Sequence, residues 1–415
     1  MQETRSDPKG TLRIAVLTRY VHDAGGVEAY LKSVLPALAA NGHELALWHE
    51  FAVPSGWTAY AGADLSCRLL KTDHLDRSVD EVRRWKPDVL FLNGLSEPAV
   101  EMRLIERTPT VTFLHGYHGT CVSGGKTHMF PAPVPCERQL GAGCLLHYYP
   151  RRCGGLNPLV MIEGYRKQRI RQLLLHRSAF VTTFSEHMRR EAISNGVDRA
   201  RAVHLPAFNP AATAHARTES LEAPGFSTIE SPVHVAFIGR MERPKGAHVL
   251  MDALPLLDDD LRSRLRVTFA GDGREKAALE ETASRMAQLR ISFPGWISAC
   301  DRQRLLSTID LLVVPSIWPE PLGLVGIEAG GAGVPAIAFD VGGIGDWLED
   351  GVTGRLVPAP PSSAALATAL TDALRHEDRL KAWGRQARKK AGRLTLEAHV
   401  SALEDVFRRA AIRPS

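Results

Sequence analysis

Short, continuous apolar runs recur along this chain, and they come in two sets. The first set is LRIAVLT at residues 12–18, ELALWHE at 44–50, DVLFLNG at 88–94, TVTFLHG at 110–116 and AFVTTFS at 179–185. The second is HVAFIGR at 234–240, RVTFAGDG at 266–273, RISFPGW at 290–296, DLLVVPS at 310–316 and PAIAFD at 335–340. Such runs are too short for helices and lack the alternation of a half-exposed strand. They read as strands buried on both faces, the kind found in parallel sheets. Helical patterns fill the spaces between them. Strands alternating with helices predict parallel sheets covered by helices on both sides, here as two α/β, Rossmann-like doubly wound domains.

The expected division is 1–210 for a first domain, 211–393 for a second, and 394–415 for a terminal helix. Residues 204–232 join the two sets and are rich in Ala, Pro, Ser and Thr without periodicity, which is linker composition. The terminal pattern places Val400, Leu403, Val406 and Phe407 on one stripe, so it is expected to pack back across the first domain. Ser185 followed by Glu186 reads as a helix cap and first turn. Residues 116–158 break the plan. This stretch is rich in Gly, Pro and Cys and too long for an ordinary connection, so it reads as a functional insert.

With 415 residues the chain can build two ordinary cores. No apolar run reaches the roughly 20 residues of a membrane span. The start, MQETRSDPKG, has no signal-peptide core, so a cytoplasmic protein is expected. A net charge of +5 is too mild to argue for nucleic acid. Basic residues do cluster at Arg166, Lys167, Arg169 and Arg171, and again at Arg388, Lys389, Lys390 and Arg393. Each cluster is either a solvated helix face or a peripheral contact with an anionic membrane, at its inner face.

The chemistry concentrates in the second half. EPLGLVGIE places Glu320 and Glu328 eight positions apart, just after an apolar strand and across a helix start near Leu322. Carboxylates there sit where open α/β sheets bind ligands, and the helix-start N–H groups favour an anion. GRMERPKG sets Arg240 and Lys245 at the end of another strand, a pair of cations suited to a diphosphate. Gly25-Gly26 after the first strand allows close backbone approach, although it is not a GxGxxG fingerprint, nor is Gly271-Asp272-Gly273. His115 ends a strand at the mouth of the expected crevice and is placed to hydrogen-bond a sugar hydroxyl or meet a developing charge. Cys121, Cys136, Cys144 and Cys153 fall within one short stretch. They are four thiolates for a structural zinc, or free thiols; an iron–sulfur cluster is a third reading, and His118, His128 and His147 compete as ligands.

In this order the motifs resemble the retaining nucleotide-sugar glycosyltransferases of the large family 4, which have the GT-B fold. The resemblance is carried by FIGRMERPKG (237–246), TFAGDG (268–273), FPGWIS (293–298), VVPSIWPEPLGLVGIEAGGAGVPAIAF (313–339) and VGGIGDWLEDGVTGRLVP (341–358). It implies two domains facing across a cleft and a UDP- or GDP-sugar donor. It implies that Arg240 and Lys245 neutralise the diphosphate and that Glu328 binds the ribose. Glu320 would contact the transferred sugar, and the backbone of Leu322, Gly323 and Leu324 would meet phosphate and sugar. Gly25, Gly26 and Gly271 would lie by the donor, Trp296 and Ile297 would border the base, and His115 would contact the sugar. Asp23 and Glu28 are acceptor-side candidates. The acceptor would be a glycan, a lipid-linked molecule or a small hydroxyl compound, in bacterial polysaccharide or glycoconjugate synthesis. The resemblance implies transfer with retention, with no catalytic metal needed for the leaving group. A related epimerase, a phosphorylase or a non-catalytic sugar-nucleotide binder are the alternatives. Gly330, Gly331 and Ala332 stand where the family often has Met-Ala, Asp346 stands where Glu is frequent, and the insert lacks the family subset's CxxC pair.

Overall fold

The computed structural model describes residues 10–21, 25–51, 66–70, 75–209, 232–286 and 288–412. It contains two parallel sheets. The first has seven strands: β1 (Arg13–Thr18), β2 (Glu44–His49), β3 (Ser66–Leu69), β4 (Val89–Leu92), β5 (Thr110–Phe113), β8 (Phe180–Thr183) and β9 (Ala202–His204), in the order β3-β2-β1-β4-β5-β8-β9. The second has six: β10 (Val233–Ile238), β11 (Leu265–Ala270), β12 (Arg290–Gly295), β13 (Leu311–Val314), β14 (Ala336–Phe339) and β15 (Gly354–Val357), in the order β12-β11-β10-β13-β14-β15. Within each sheet the first three strands are laid outward in one direction, and the chain then returns to the other side of the first, so the winding reverses beside β1 and beside β10. That reversal opens a crevice between β1 and β4 in one half and between β10 and β13 in the other.

The central strands are buried on both faces, which is why they read as unbroken apolar runs. Val89–Leu92 and Leu311–Val314 are buried at every position. The strands that carry no such run lie at the edges: β3 (SCRL) is only partly covered, and β9 and β15 close the opposite ends.

The Leu396–Ala411 helix buries Val400, Leu403, Val406 and Phe407 against the first sheet and the Gly26–Ala40 helix. Each such side chain contributes about 1.5–3 kcal/mol on leaving water. Its polar residues are paired as well. His399 Nε2 lies 3.0 Å from Tyr30 Oη, and Glu404 accepts from Asn41 Nδ2 at 2.7 Å. The connection predicted as a linker falls largely on residues 210–231, outside the described residues, and so does the expected domain boundary.

The insert folds as a small module. A two-stranded antiparallel ribbon, β6 (Thr127–His128) with β7 (Val134–Pro135), precedes the short Gly143–Tyr148 helix and the long Pro158–Arg177 helix. Its own core is small: Val122, Leu140 and Tyr148, flanked by Cys144, Cys153, Met161 and Tyr165. Polar ties anchor it to the first sheet's helices. Lys126 Nζ pairs with Glu191 at 2.5 Å with both side chains buried, and Gly119 N donates to Gln168 Oε1 at 2.7 Å.

Candidate functional site

Both carboxylates and both cations singled out from the sequence come to the carboxyl ends of β10 and β13, at the switch point of the second sheet. Lys245 ends a single 3₁₀ turn, Arg243–Lys245, and Gly246 follows in a left-handed conformation, φ 73°. A Cβ on Gly246 would lie 1.7 Å from Pro315 O, so only glycine lets this turn press against the β13 loop. Ile317 N donates to Pro244 O at 2.9 Å and ties the two loops together.

That contact brings Lys245 onto Glu320. The ammonium Nζ lies 2.7 Å from Oε1 and 3.0 Å from Oε2 of the carboxylate. Ser316 Oγ donates to Oε1 at 2.6 Å and Trp318 Nε1 to the same oxygen at 2.9 Å. Lys245 Nζ also sits 5.1 Å from the centre of the Trp318 ring. Burial pushes the Glu320 carboxyl up, but the charge and hydrogen bonds of Lys245, with those of Ser316 and Trp318, hold it below the usual range. The carboxylate expected to face the transferred sugar is thus occupied by protein donors. Its contacts make it the group that positions Lys245.

Arg240 is exposed just past β10, with no ion-pair partner among the described residues. The Leu324–Ala332 helix starts at Gly323 without a side-chain cap, so its first N–H groups are available to an anion. Leu322 is buried, and its carbonyl accepts from Trp347 Nε1 at 2.7 Å, which fixes the helix start. Glu328 lies one turn along, almost buried, and pairs with Arg302 Nε at 2.8 Å. Burial raises its carboxyl above the usual range, and Arg302 pulls it back part of the way. Trp296 is 66% exposed at the end of β12, an open aromatic face beside half-buried Ile297. Gly271 owes its glycine to packing, since a Cβ there would meet Gly239 O at 1.9 Å.

In the first half, His115 follows β5 and donates from Nε2 to Asn93 Oδ1 at 2.9 Å, stacked on Phe113 with ring centres 4.3 Å apart. With Nε2 carrying the proton, Nδ1 is left as an acceptor for a hydroxyl. Burial, reinforced by His118 and His399, pushes its pKa down to about 3, so the ring is neutral. A developing negative charge would therefore meet a neutral imidazole. Gly25 and Gly26 start the helix after β1, and a Cβ on Gly26 would meet no atom within 4 Å, so its outer face is open. Glu28 is buried on that helix, and Asp23 lies outside the described residues.

Two residues at the start of the insert and of the following helix reach across to the donor loop. Tyr117 Oη donates to Pro319 O at 2.8 Å, and His187 Nε2 lies 2.7 Å from Tyr117 Oη. Ser185 Oγ donates to Pro321 O at 2.5 Å, and Glu186 N donates to Asp346 Oδ2 at 2.6 Å. The loop that carries Glu320 is held from both halves of the chain. Sequence reading missed Asn93, Tyr117, Arg302, Ser316 and Trp318. Trp318 and Ser316 had a signal, because they flank the acidic motif directly.

The four cysteines all lie in the insert module, where the sequence predicts a structural zinc set or free thiols. Among the described residues no group of three or more His, Cys, Asp or Glu side chains is placed to hold a metal ion. Three of the thiols also have local partners: Cys144 Sγ is 3.6 Å from Gln139 O, Cys153 Sγ is 3.8 Å from His147 O, and Cys121 Sγ accepts from Lys126 N at 3.3 Å. Burial raises the Cys136 thiol and pushes Cys153 up to about 11, and Cys121, Cys136 and Cys144 each add to the rise at Cys153, so the four thiols lie within electrostatic reach of one another.

No helix among the described residues is long and apolar enough to cross a membrane. Residues 222–390 match the family model described as glycosyl transferases group 1. The glycogen synthase of Mycobacterium tuberculosis is 28% identical over 371 residues, 86% of this chain and 75% of that protein. The D-inositol 3-phosphate glycosyltransferase of Nocardia farcinica is 33% identical over 233 residues, 52% of this chain and 49% of that one. Among solved structures, Anabaena Alr3699/HepE in complex with UDP and glucose superposes with a TM-score of 0.67 at 17% identity, covering 96% of this chain and 99% of that one. WaaG, a glycosyltransferase involved in lipopolysaccharide biosynthesis, gives 0.65 at 16% identity, with 95% and 99% covered. The two-sheet architecture and these superpositions show the GT-B fold, and the second half of the chain is similar to group 1 glycosyl transferases.

Proposed function

We propose that this chain transfers a hexose from a nucleoside-diphosphate sugar to a hydroxyl acceptor, with retention of anomeric configuration. One observation carries the reading. Exposed Arg240, Lys245 held by Glu320, and the uncapped start of the Leu324–Ala332 helix all meet at the crevice between β10 and β13. Two cations and a row of amides there are matched to a diphosphate.

The mechanism follows from charge. Cleavage of the sugar–phosphate bond leaves negative charge on the diphosphate and positive charge on the ring. Arg240, Lys245 and the helix amides stabilise the former without moving. Lys245 would be shared between Glu320 and the phosphate. Glu320 does not serve as a glycosidase-type nucleophile, because Oε1 already receives bonds from Ser316, Trp318 and Lys245. The leaving phosphate oxygen then takes the acceptor's proton in a front-face attack. Neutral His115 offers Nδ1 to a sugar hydroxyl. Glu328 and Trp296 are assigned to the ribose and the base. UDP and UDP-glucose in the complexes of Alr3699/HepE support a uridine donor; a GDP-sugar is the other candidate. A role in polysaccharide or glycoconjugate synthesis accords with the relatives.

The test is a donor screen. Purified protein is incubated with UDP- and GDP-hexoses, and nucleoside diphosphate release is followed with and without hydroxyl acceptors. Slow release without acceptor, quickened by a suitable one, is expected. No release with any donor would leave a binding protein, and interconversion of donor sugars would reveal an epimerase.

A further inference from the structure

The insert carries an unusual surface. Half of the large apolar side chains that are exposed among the described residues lie between Phe130 and Ile162. At its tip, residues 154–160 are exposed without interruption, and this GGLNPLV segment presents Leu156 at 83%, Leu159 at 75% and Val160 at 59% exposure. The neighbouring Gly143–Tyr148 helix turns Tyr148 and Cys144 inward and leaves Leu146 78% exposed. The Pro158–Arg177 helix divides in the same way: Met161 and Tyr165 pack into the module's core, while Leu159 and Val160 point away from it. The apolar side chains are a protruding edge that the module's own core does not use.

Charge surrounds this edge. Residues 126–171 contain eight Lys and Arg against two acidic residues, Glu137 and Glu163; Lys126 is buried on Glu191 and Lys167 pairs with Glu163 and Glu97, which leaves six arginines. Arg151 and Arg152 are exposed immediately before the tip, with the Arg152 guanidinium 5.1 Å from the exposed Phe130 ring. Arg166 and Arg169 follow it along the helix, both exposed. An exposed apolar edge rimmed by cations matches an anionic bilayer, whose headgroups take the arginines while the leucines enter the acyl boundary.

We propose that this edge docks the protein on an anionic lipid bilayer. Membrane docking deepens the proposed transfer reaction by making a lipid-linked acceptor the class to test; the docking itself does not depend on that reaction. The insert opens directly after His115, and its Tyr117 holds the donor loop through Pro319, so the docked module is joined to the site.

The experiment is co-sedimentation of the full chain with vesicles of phosphatidylcholine and phosphatidylglycerol in equal parts, against pure phosphatidylcholine. Binding to the mixed vesicles is expected, with little to the neutral ones. Leu156→Ser with Leu159→Ser, and separately Arg151→Glu with Arg152→Glu, should each lower the partition coefficient on the order of tenfold. Donor-only nucleotide release should stay unchanged in both variants, which reports that the fold and the donor site survive. Equal binding of the wild type to both vesicle types, or unaltered binding of the two variants, overturns the proposal. So does a wild type that ignores vesicles and self-associates through this edge, losing that association in the leucine variant. If vesicle binding holds and donor release fails, the docking surface stands and the transfer reading falls.

Discussion

Tyr117 Oη donates to the carbonyl of Pro319, the residue just before Glu320, at 2.8 Å across a sequence separation of 202 residues. A side chain at the mouth of the insert thereby fixes a loop in the second sheet's crevice. The Tyr117 ring also lies edge-on to Trp318, with centroids 6.0 Å apart. The two halves meet at the residues that organise Lys245, so closing the cleft and arranging the cation are one event.

Tyr117→Phe should keep the ring packing and lose the bonds to Pro319 and His187. The expected cost is about 1 kcal/mol of stability. Donor turnover should fall by more than that loss of fold explains, because the loop bearing Glu320 is freed. Thermal melts read alongside nucleotide release separate the two. Wild-type release from the variant would show that the crossing bond plays no part in arranging the site.

The Lys245–Glu320 pair yields a double-mutant cycle. Lys245→Ala strands a buried carboxylate and should cost about 3–5 kcal/mol of stability, together with donor turnover. Adding Glu320→Gln neutralises the stranded charge, so stability should return in large part while turnover stays lost. The sign with pH follows from the depressed Glu320 carboxyl. Its stabilising contribution is present above the unfolded carboxylate pKa and fades as pH falls through the lower folded value. Urea melts of the four proteins at neutral and acid pH complete the test. Additive losses in the double variant would show that the pair is not coupled.

The sequence made the frame readable because parallel strands buried on both faces leave predominantly apolar runs, with Thr the commonest polar exception, as in TVTF and FVTT. β1, β4, β5, β8, β10, β11 and β13 all announce themselves this way. The edge strands do not: β3 is SCRL, β9 only AVH, and β15 begins on Gly354, each too short or too polar to register. The donor-side residues were legible wherever function writes a local pattern, as in GRMERPKG and EPLGLVGIE. Their mutual arrangement was not. Nothing in the sequence says that Lys245 spends its charge on Glu320, 75 positions away, or that Arg302 reaches Glu328. The cysteines show the same limit: their closeness along the chain matches thiols that feel one another in the module, while among the described residues no three such groups are placed to hold a metal ion.

His115 should give a pH profile without a histidine inflection. Its imidazole is held neutral down to about pH 3 by burial beside His118 and His399, and its proton is fixed on Nε2 by Asn93. Donor turnover from pH 5 to 8 should therefore carry no step near the ordinary histidine value of about 6.5. His115→Ala should lower turnover about 10²-fold or less, the scale of a lost positioning contact. Asn93→Ala should lower turnover by freeing the ring's orientation without introducing that step, because burial rather than Asn93 keeps the ring neutral. An inflection near neutrality in the wild type, absent from His115→Ala, would mean that the ring is charged during the reaction.

Glu101 provides a stability switch away from the donor. Its carboxyl is fully enclosed beside β4 and accepts from Leu95 N at 2.9 Å. Burial raises its pKa to about 7, against the pull of that bond and of Arg171, and with Glu50 and Glu97 adding repulsion. The folded state therefore binds a proton that the unfolded chain releases at a lower pH. Stability should fall as pH rises from the unfolded value of about 4.5 through 7, by on the order of 3 kcal/mol. Glu101→Gln keeps an oxygen for Leu95 N and removes the ionisation. The variant should unfold at higher denaturant than wild type at pH 8 and match it near pH 5. A parallel pH dependence in the two proteins would place the titrating group elsewhere.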